Sequence, residues 1–157
     1  MVQSSARTED RMGSSNVRPA VVDDLPELMR MGKEFYKKSG YDDLGAFDPE
    51  SLEKTYRHLI SSSSLLITQG GMIGWVVFPV FVTGNMVAQE LFWWVDPERR
   101  SNGAGKALLE AAEEQARSQG ATAMMMLALD DLDGDAIAAV YGKMGYRPRE
   151  RTYMRAL

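Results

Sequence analysis

The sequence predicts a single mixed α/β (α+β) domain, with elements in the order β-α-α-β-β-β-α-β-α-β and one further strand at the end if the last residues pair. Three observations carry this. Two helical stripes with Asp-Pro or Asp-x-x-Pro starts fill the first third, β-leaning runs punctuated by glycine fill the middle, and two more helical patterns flank an apolar run in the last third. No internal repeat is visible. A chain of 157 residues, 45% hydrophobic and 25% charged, has the length and usage of one globular unit.

Met1 to Asn16 is polar and Ser-rich, shows no periodicity and has no apolar h-region. Residues 1–16 are expected to be a disordered leader, with Met12 an alternative start, and 17–157 the folded domain. Val17 to Val21 reads as a short strand, and Asp23-Asp24-Leu25-Pro26 as a helix start. Leu25, Leu28, Met29, Gly32 and Phe35/Tyr36 then form one apolar stripe that fails near Ser39-Gly40. After a loop, Asp48-Pro49-Glu50-Ser51 starts a second helix whose stripe is Leu52, Tyr56, Leu59 and Ile60.

Leu65 to Thr68 and Met72 to Phe78, joined through Gly70-Gly71, read as a β-hairpin. Gly84-Asn85 marks another turn into a long strand, Met86 to Val95, ended by Asp96-Pro97. Strict alternation along it puts Glu90, Phe92 and Trp94 on one face, opposite Gln89, Leu91 and Trp93. Gly103 to Gln119 is helical, and its small residues Ala104, Ala107, Ala111 and Ala112 imply close packing on a sheet. A buried strand over Ala123 to Leu129, a helix over Asp133 to Met144 and one or two strands within Tyr146 to Arg155 complete the order.

Composition removes several chemistries. Lys and Arg number 18 against 22 Asp and Glu, so no surplus positive field holds a nucleic-acid backbone. With no Cys there is no thiol nucleophile or disulfide framework, and a single His58 makes a His metal cluster impossible, so no metal is expected. No apolar run reaches the roughly 18 residues of a membrane span, and a cytoplasmic protein is expected.

The most informative segment is Glu90 to Leu109, a strand leading through a glycine-containing loop into a helix. Gly103 and Gly105 allow main-chain N–H groups to approach a phosphate, and the new helix adds its unpaired N–H groups and positive dipole end. A P-loop would need Gly and a Ser or Thr where the chain has Arg100 and Ala107. A dinucleotide fingerprint would need Gly where it has Leu108. Asp131-x-Asp133-x-Asp135 starts like a calcium loop, but Ala136 and Gly142 occupy the positions that need Gly and Glu.

The remaining pattern, Arg100-x-x-Gly103-x-Gly105, resembles the acyl-CoA pyrophosphate loop of the GCN5-related N-acetyltransferase (GNAT) family. The preceding Trp93-Trp94-Val95-Asp96-Pro97 is similar to that family's hydrophobic strand ending in V-x-P. Ala136 to Tyr146, with Tyr141, Lys143 and Gly145, resembles its second signature, and Val17-Arg18-Pro19-Ala20 its opening. The resemblance covers about residues 17 to 155.

It implies a central, mostly antiparallel sheet with a splayed strand pair at the acyl-CoA site and about four flanking helices. It implies N-acetyl transfer from acetyl-CoA directly to a primary amine, of a small molecule or a protein. Trp93, Trp94 and Val95 would lie along the pantetheine arm. Arg100, Ser101, Asn102, Gly103, Ala104, Gly105 and Lys106 would form the pyrophosphate cradle. Tyr141 would be the general acid for the departing thiolate, and Glu90, or a water relay, the base. Asp130 and Asp131 are alternative bases, and Phe35, Tyr36, Tyr41 and Phe47 would form the substrate lip. The family's frequent Asn seven residues before the helix tyrosine is Gly134 here, which leaves one CoA contact unfilled.

Plainer readings stand beside these. Tyr141 follows Ile137 on an apolar stripe and suits a core, the Trp residues suit sheet packing, and Glu90 suits an edge charge. A non-catalytic acyl-CoA-binding module, or a scaffold dimerising through C-terminal strands, would share the same fold.

Overall fold

The computed structural model describes residues 16–157, so the expected leader falls, apart from Asn16, outside the described residues. The elements are β1 (Arg18–Pro19), α1 (Leu25–Lys38), α2 (Pro49–Ser61), β2 (Leu65–Thr68), β3 (Gly71–Pro79), β4 (Met86–Val95), α3 (Ala104–Ser118), β5 (Ala123–Met125) and α4 (Gly134–Lys143). They build one sheet in the order β1-β2-β3-β4-β5, antiparallel except for the parallel β4–β5 pair.

Local chemistry explains the boundaries. Asp48 caps α2 by accepting from the N–H groups of Glu50 and Ser51, with Pro49 in the first turn. At α1 the expected cap is differently used. Asp24 takes a bidentate contact from Arg18 at 2.7 Å and the Val21 N–H at 2.8 Å, fixing the turn before the helix rather than capping its first turn.

The sheet buries both faces. Leu28 and Met31 of α1 with Tyr56 and Leu59 of α2 pack on Met72, Phe92 and Trp94. On the opposite face Leu108, Leu109, Ala112 and Ala116 of α3 pack on Ile73, Trp75, Ala88 and Val95. Each large side chain so buried contributes about 1.5–3 kcal/mol, and the alanines let the helix axis lie close to the strands. None of the described helices is long and apolar enough to cross a membrane.

Strict alternation along β4 fails at one residue. Gly74 pairs with Phe92 and Trp75 with Glu90, so Leu91 is an extra residue and β4 bulges there. Leu91 packs with Phe92 toward α1 and α2, whereas Glu90 lies opposite Trp75, on the face that carries α3 and Tyr141. The expected grouping of Glu90 with Phe92 and Trp94 is therefore corrected, because the bulge resets the period-2 pattern. Gly74 makes this geometry feasible: a side chain at that position would overlap the Phe92 ring.

Two other strand expectations are also corrected. β5 stops after Met125, three residues into the expected run, and residues 146–157 form no strand. Pro148 lacks an N–H for a ladder, and Arg147, Arg149, Arg151 and Arg155 favour solvent over burial between strands.

Candidate active site

The parallel β4–β5 ladder covers only Val87–Ala123, Ala88–Met124 and Gln89–Met125, after which the strands separate. The edge of β4 away from β3 is then free from Glu90 to Val95. The Asp96 N–H bonds back to the Gly70 carbonyl at 2.7 Å, so residues of the opposite parity, Trp93 and Val95, aim their main-chain groups at the free edge. The Val95 carbonyl is met there by Arg100 Nε at 2.9 Å.

Side chains bridge the gap. The Glu90 carboxylate accepts from the Leu127 N–H at 2.9 Å, and the Tyr141 hydroxyl donates to the Leu127 carbonyl at 2.7 Å. Glu90 is only 5% exposed. Burial pushes its carboxyl up to about 7, partly opposed by the Leu127 hydrogen bond that favours the charged form. Tyr141 is raised well above the usual phenol range by burial first and by the Glu90 charge second. Tyr41 and Tyr146 are raised by burial too, and each also feels Glu90. The charge of one buried carboxyl is thus felt by three phenols, one before α2 and two at or just past the end of α4.

Trp93 stacks on Tyr141, with ring centroids 5.9 Å apart at 23°, and its indole covers Gly105. A Cβ at Gly105 would lie 3.2 Å from the Trp93 ring. Trp93 Nε1 is the one buried side-chain polar atom among the described residues without a hydrogen-bond partner. Such an orphaned donor is costly by about 1–3 kcal/mol unless something accepts from it.

The loop after β4 folds as a phosphate cradle requires. Ser101 and Asn102 lie in a turn, and Gly103 adopts φ +83°, a left-handed conformation that glycine takes without strain, with open space around it. Asn102 Oδ1 accepts from the Ala104 N–H at 3.1 Å, and the first turn of α3 directs the remaining N–H groups of Gly105 and Lys106 outward. Lys106 is exposed and reaches Glu110 at 3.6 Å. The free β4 edge, the orphaned Trp93 donor and the open space at Gly103 before α3 fit acetyl-CoA.

Not every expected residue joins this site. The Trp94 indole sits on the opposite face, donating to Asp96 Oδ1 at 2.9 Å, and Arg100 folds its guanidinium over the Trp94 ring at 5.1 Å. Asp131 lies against Gly40 at the start of the lip, where a side chain on the glycine would overlap its carboxylate. A side chain at Gly134 would approach Asp130 Oδ1 at 3.1 Å, which leaves little room for an amide there. Phe35, Tyr36, Tyr41 and Phe47 do gather around one groove of about 370 Å³, floored by Leu91 and Phe92.

Sequence reasoning missed two features. The Leu127 main chain is a shared partner that no side-chain pattern can reveal. Asp96, in the variable place of V-x-P, ties the loop to α1 by accepting from Arg30 at 2.6 Å. Burial raises the Asp96 carboxyl, but Arg30 and the Trp94 N–H outweigh that and hold it below its usual value. Gly74 within β3 was the one available signal for the bulge.

Comparison with known proteins agrees with this architecture. Residues 25–146 match the model of the acetyltransferase (GNAT) family. No curated protein sequence matches the chain significantly. Among solved structures, a Trypanosoma brucei acetyltransferase is 19% identical with TM-score 0.66, covering 90% of this chain and 98% of its own. A predicted acetyltransferase from Clostridium acetobutylicum, solved with acetyl-CoA, is 16% identical with TM-score 0.69 over 90% and 95% of the two chains. An aminoglycoside 6'-N-acetyltransferase from Acinetobacter haemolyticus is 17% identical with TM-score 0.68 over 90% and 97%. At these identities the likeness is one of fold, while the family match spans most of the chain: the protein belongs to the GNAT family of acetyltransferases.

Proposed function

We propose that this protein transfers the acetyl group of acetyl-CoA to a primary amine, with Glu90 as base and Tyr141 as hydrogen-bond donor to the leaving sulfur. The observation that carries the reading is the Glu90–Leu127–Tyr141 bridge, which sets a near-neutral carboxyl and a protonated phenol at the mouth of the β4–β5 splay.

Trp93 and Val95 offer main-chain groups along the free edge, and a ligand pairing there competes with Arg100 for the Val95 carbonyl. Ser101 to Lys106 offer the α3 N-terminus to the pyrophosphate. Acetyl-CoA supplies an activated acyl group, so a new N–C amide bond replaces the C–S thioester bond and free CoA thiol is released.

Two proton movements complete the balance. Glu90 accepts one proton from the amine nitrogen, a role suited to a carboxyl near 7 because it is a stronger base than an ordinary carboxylate. Solvent carries that proton from Glu90 to the departing thiolate, while Tyr141 turns its hydroxyl from the Leu127 carbonyl to donate a hydrogen bond to the same sulfur. The raised pKa of Tyr141 keeps it protonated, and it is a weaker acid than a thiol near 8.5, so its hydroxyl acts chiefly by hydrogen-bonding the developing charge. No enzyme nucleophile is required, in keeping with a chain that has no Cys.

The test is calorimetric titration with acetyl-CoA followed by amine-dependent thiol release in the same sample. Binding with release supports the transferase. Binding without release on any amine points to an acyl-CoA-binding module, and no binding overturns the cradle.

A further inference from the structure

The groove beneath the lip has a chemistry of its own, and its role as an acceptor site rests on the transferase reading. Its rings come from several segments: Phe35 and Tyr36 from α1, Tyr41 and Phe47 from the connecting segment, Tyr56 from α2 and Phe92 from β4. They are arranged in pairs, with centroids 5.9 Å apart for Phe35–Tyr41, 5.3 Å for Tyr36–Phe47 and 5.4 Å for Tyr56–Phe92.

Hydrogen bonding inside rests on a few hydroxyls, those of Tyr41, Ser51 and Thr55 beside Tyr36 and Tyr56. The Tyr36 hydroxyl already donates to the Gly45 carbonyl at 2.9 Å, and the Tyr56 hydroxyl is spent on Met72 sulfur at 3.6 Å. No Lys, Arg or His lines the groove. Its one lining carboxylate is Asp48, and Asp42 and Asp43 stand exposed on the adjacent turn.

These properties select a ligand. An anion finds no cation to pair with. A polyhydroxylated or polycationic amine would bury several polar groups without partners, at about 1–3 kcal/mol each. An extended peptide would need a free strand edge, and the free edge of β4 belongs to the acyl donor. A single ammonium group, by contrast, is attracted by aromatic faces and by the acidic rim, and an apolar body packs against the rings. The groove's volume of about 370 Å³ suits a small ligand.

The bulge joins the groove to the base. Leu91 lines the groove, and its neighbour Glu90 reaches across the open edge of β4 to Leu127, close enough for Tyr41 of the groove to feel its charge, so acceptor site and carboxylate meet at that edge. We propose that the acceptor is a small monoamine bearing an aromatic or branched apolar group, held in the groove between α1, α2 and Leu91 with its amine toward Glu90.

Thiol release from acetyl-CoA is compared for 2-phenylethylamine, isoamylamine, spermidine, kanamycin and a tetrapeptide with a free N-terminus. The two apolar monoamines are expected to exceed the others in kcat/KM by about tenfold or more. Leu44, 57% exposed at the mouth, supplies the variant: Leu44→Lys places a cation there and should raise KM for 2-phenylethylamine by about tenfold with kcat and acetyl-CoA affinity unchanged.

A second arm needs no cofactor. Adding 2-phenylethylamine to ¹⁵N-labelled protein should shift the amides of Gly45, Ala46 and Leu91. Preference for spermidine, kanamycin or the peptide overturns the proposal while leaving the transferase intact. Failure of acetyl-CoA to bind overturns the transferase instead, and the amide shifts then decide the groove by themselves. If acetyl-CoA binds but no amine is turned over, the acceptor assignment is overturned, whatever the amide shifts show of binding in the groove.

Discussion

Glu90 and Tyr141 hold the same residue from opposite ends: Glu90 accepts from the Leu127 N–H at 2.9 Å, and Tyr141 donates to the Leu127 carbonyl at 2.7 Å. The two side chains therefore replace the ladder that β4 and β5 no longer make. They tie the segment after β5 back to β4 through one main-chain residue.

Glu90→Gln should lower turnover by about 10²- to 10⁴-fold, the usual contribution of a positioned base, because the amide cannot take a proton. The Gln oxygen can still accept from Leu127, so the fold survives. In the wild type, kcat/KM should rise with pH through an apparent pKa near 7 as Glu90 ionises. Stability moves the other way. The folded-state carboxyl binds its proton more tightly than the unfolded one, at about 7 against 4.5, so the contribution of Glu90 to stability is fully present below pH 4.5 and is lost as pH rises through 7. Melting scans should show Glu90→Gln more stable than wild type at pH 8, relative to their difference at pH 4.5.

Tyr141→Phe removes the hydrogen-bond donor and keeps the ring stacked on Trp93. Turnover should fall by about 10²- to 10⁴-fold with acetyl-CoA affinity largely retained. The Leu127 carbonyl loses its partner, which should cost about 1 kcal/mol in denaturant unfolding. Unchanged turnover would remove Tyr141 from the chemistry.

Gly103→Glu tests the cradle. Space is open around Gly103, so the variant folds, yet φ +83° costs a non-glycine residue roughly 1 kcal/mol and the carboxylate faces the α3 N-terminus. Calorimetry should show acetyl-CoA binding weakened by at least about tenfold. Wild-type affinity in the folded variant would refute the loop assignment.

Asp96→Ala should loosen the same loop from behind. It strands the Trp94 N–H and unpairs Arg30, whose guanidinium is 44% exposed and can turn to water or remain with Glu27. A loss of about 1–3 kcal/mol in chemical unfolding is expected, smaller than for a wholly buried pair, because water re-solvates Arg30. Acetyl-CoA affinity should fall while the apparent pKa of the rate profile stays near 7.

The sequence by itself determined the order of the elements from β1 to α4 and the glycine turn before α3, because both are written in local signals: Asp48-Pro49 at a helix start, Gly70-Gly71 at a hairpin, Gly103-x-Gly105 before α3. The resemblance of its second signature made Tyr141 a candidate, and a place on the strand before the loop made Glu90 one. Only the tertiary structure decided which way Glu90 faces. A bulge at Leu91 arises from pairing with β3, where Gly74 leaves room for Phe92, and period-2 reasoning along β4 alone has no access to that partner. It alone decided that β5 ends at Met125, that Leu127 joins Glu90 and Tyr141, and that Phe35, Tyr36, Tyr41 and Phe47 line one groove. Those facts depend on residues distant in the chain meeting in space. Burial by such neighbours, rather than any local pattern, turns the carboxyl of Glu90 from an ordinary acid into one near 7.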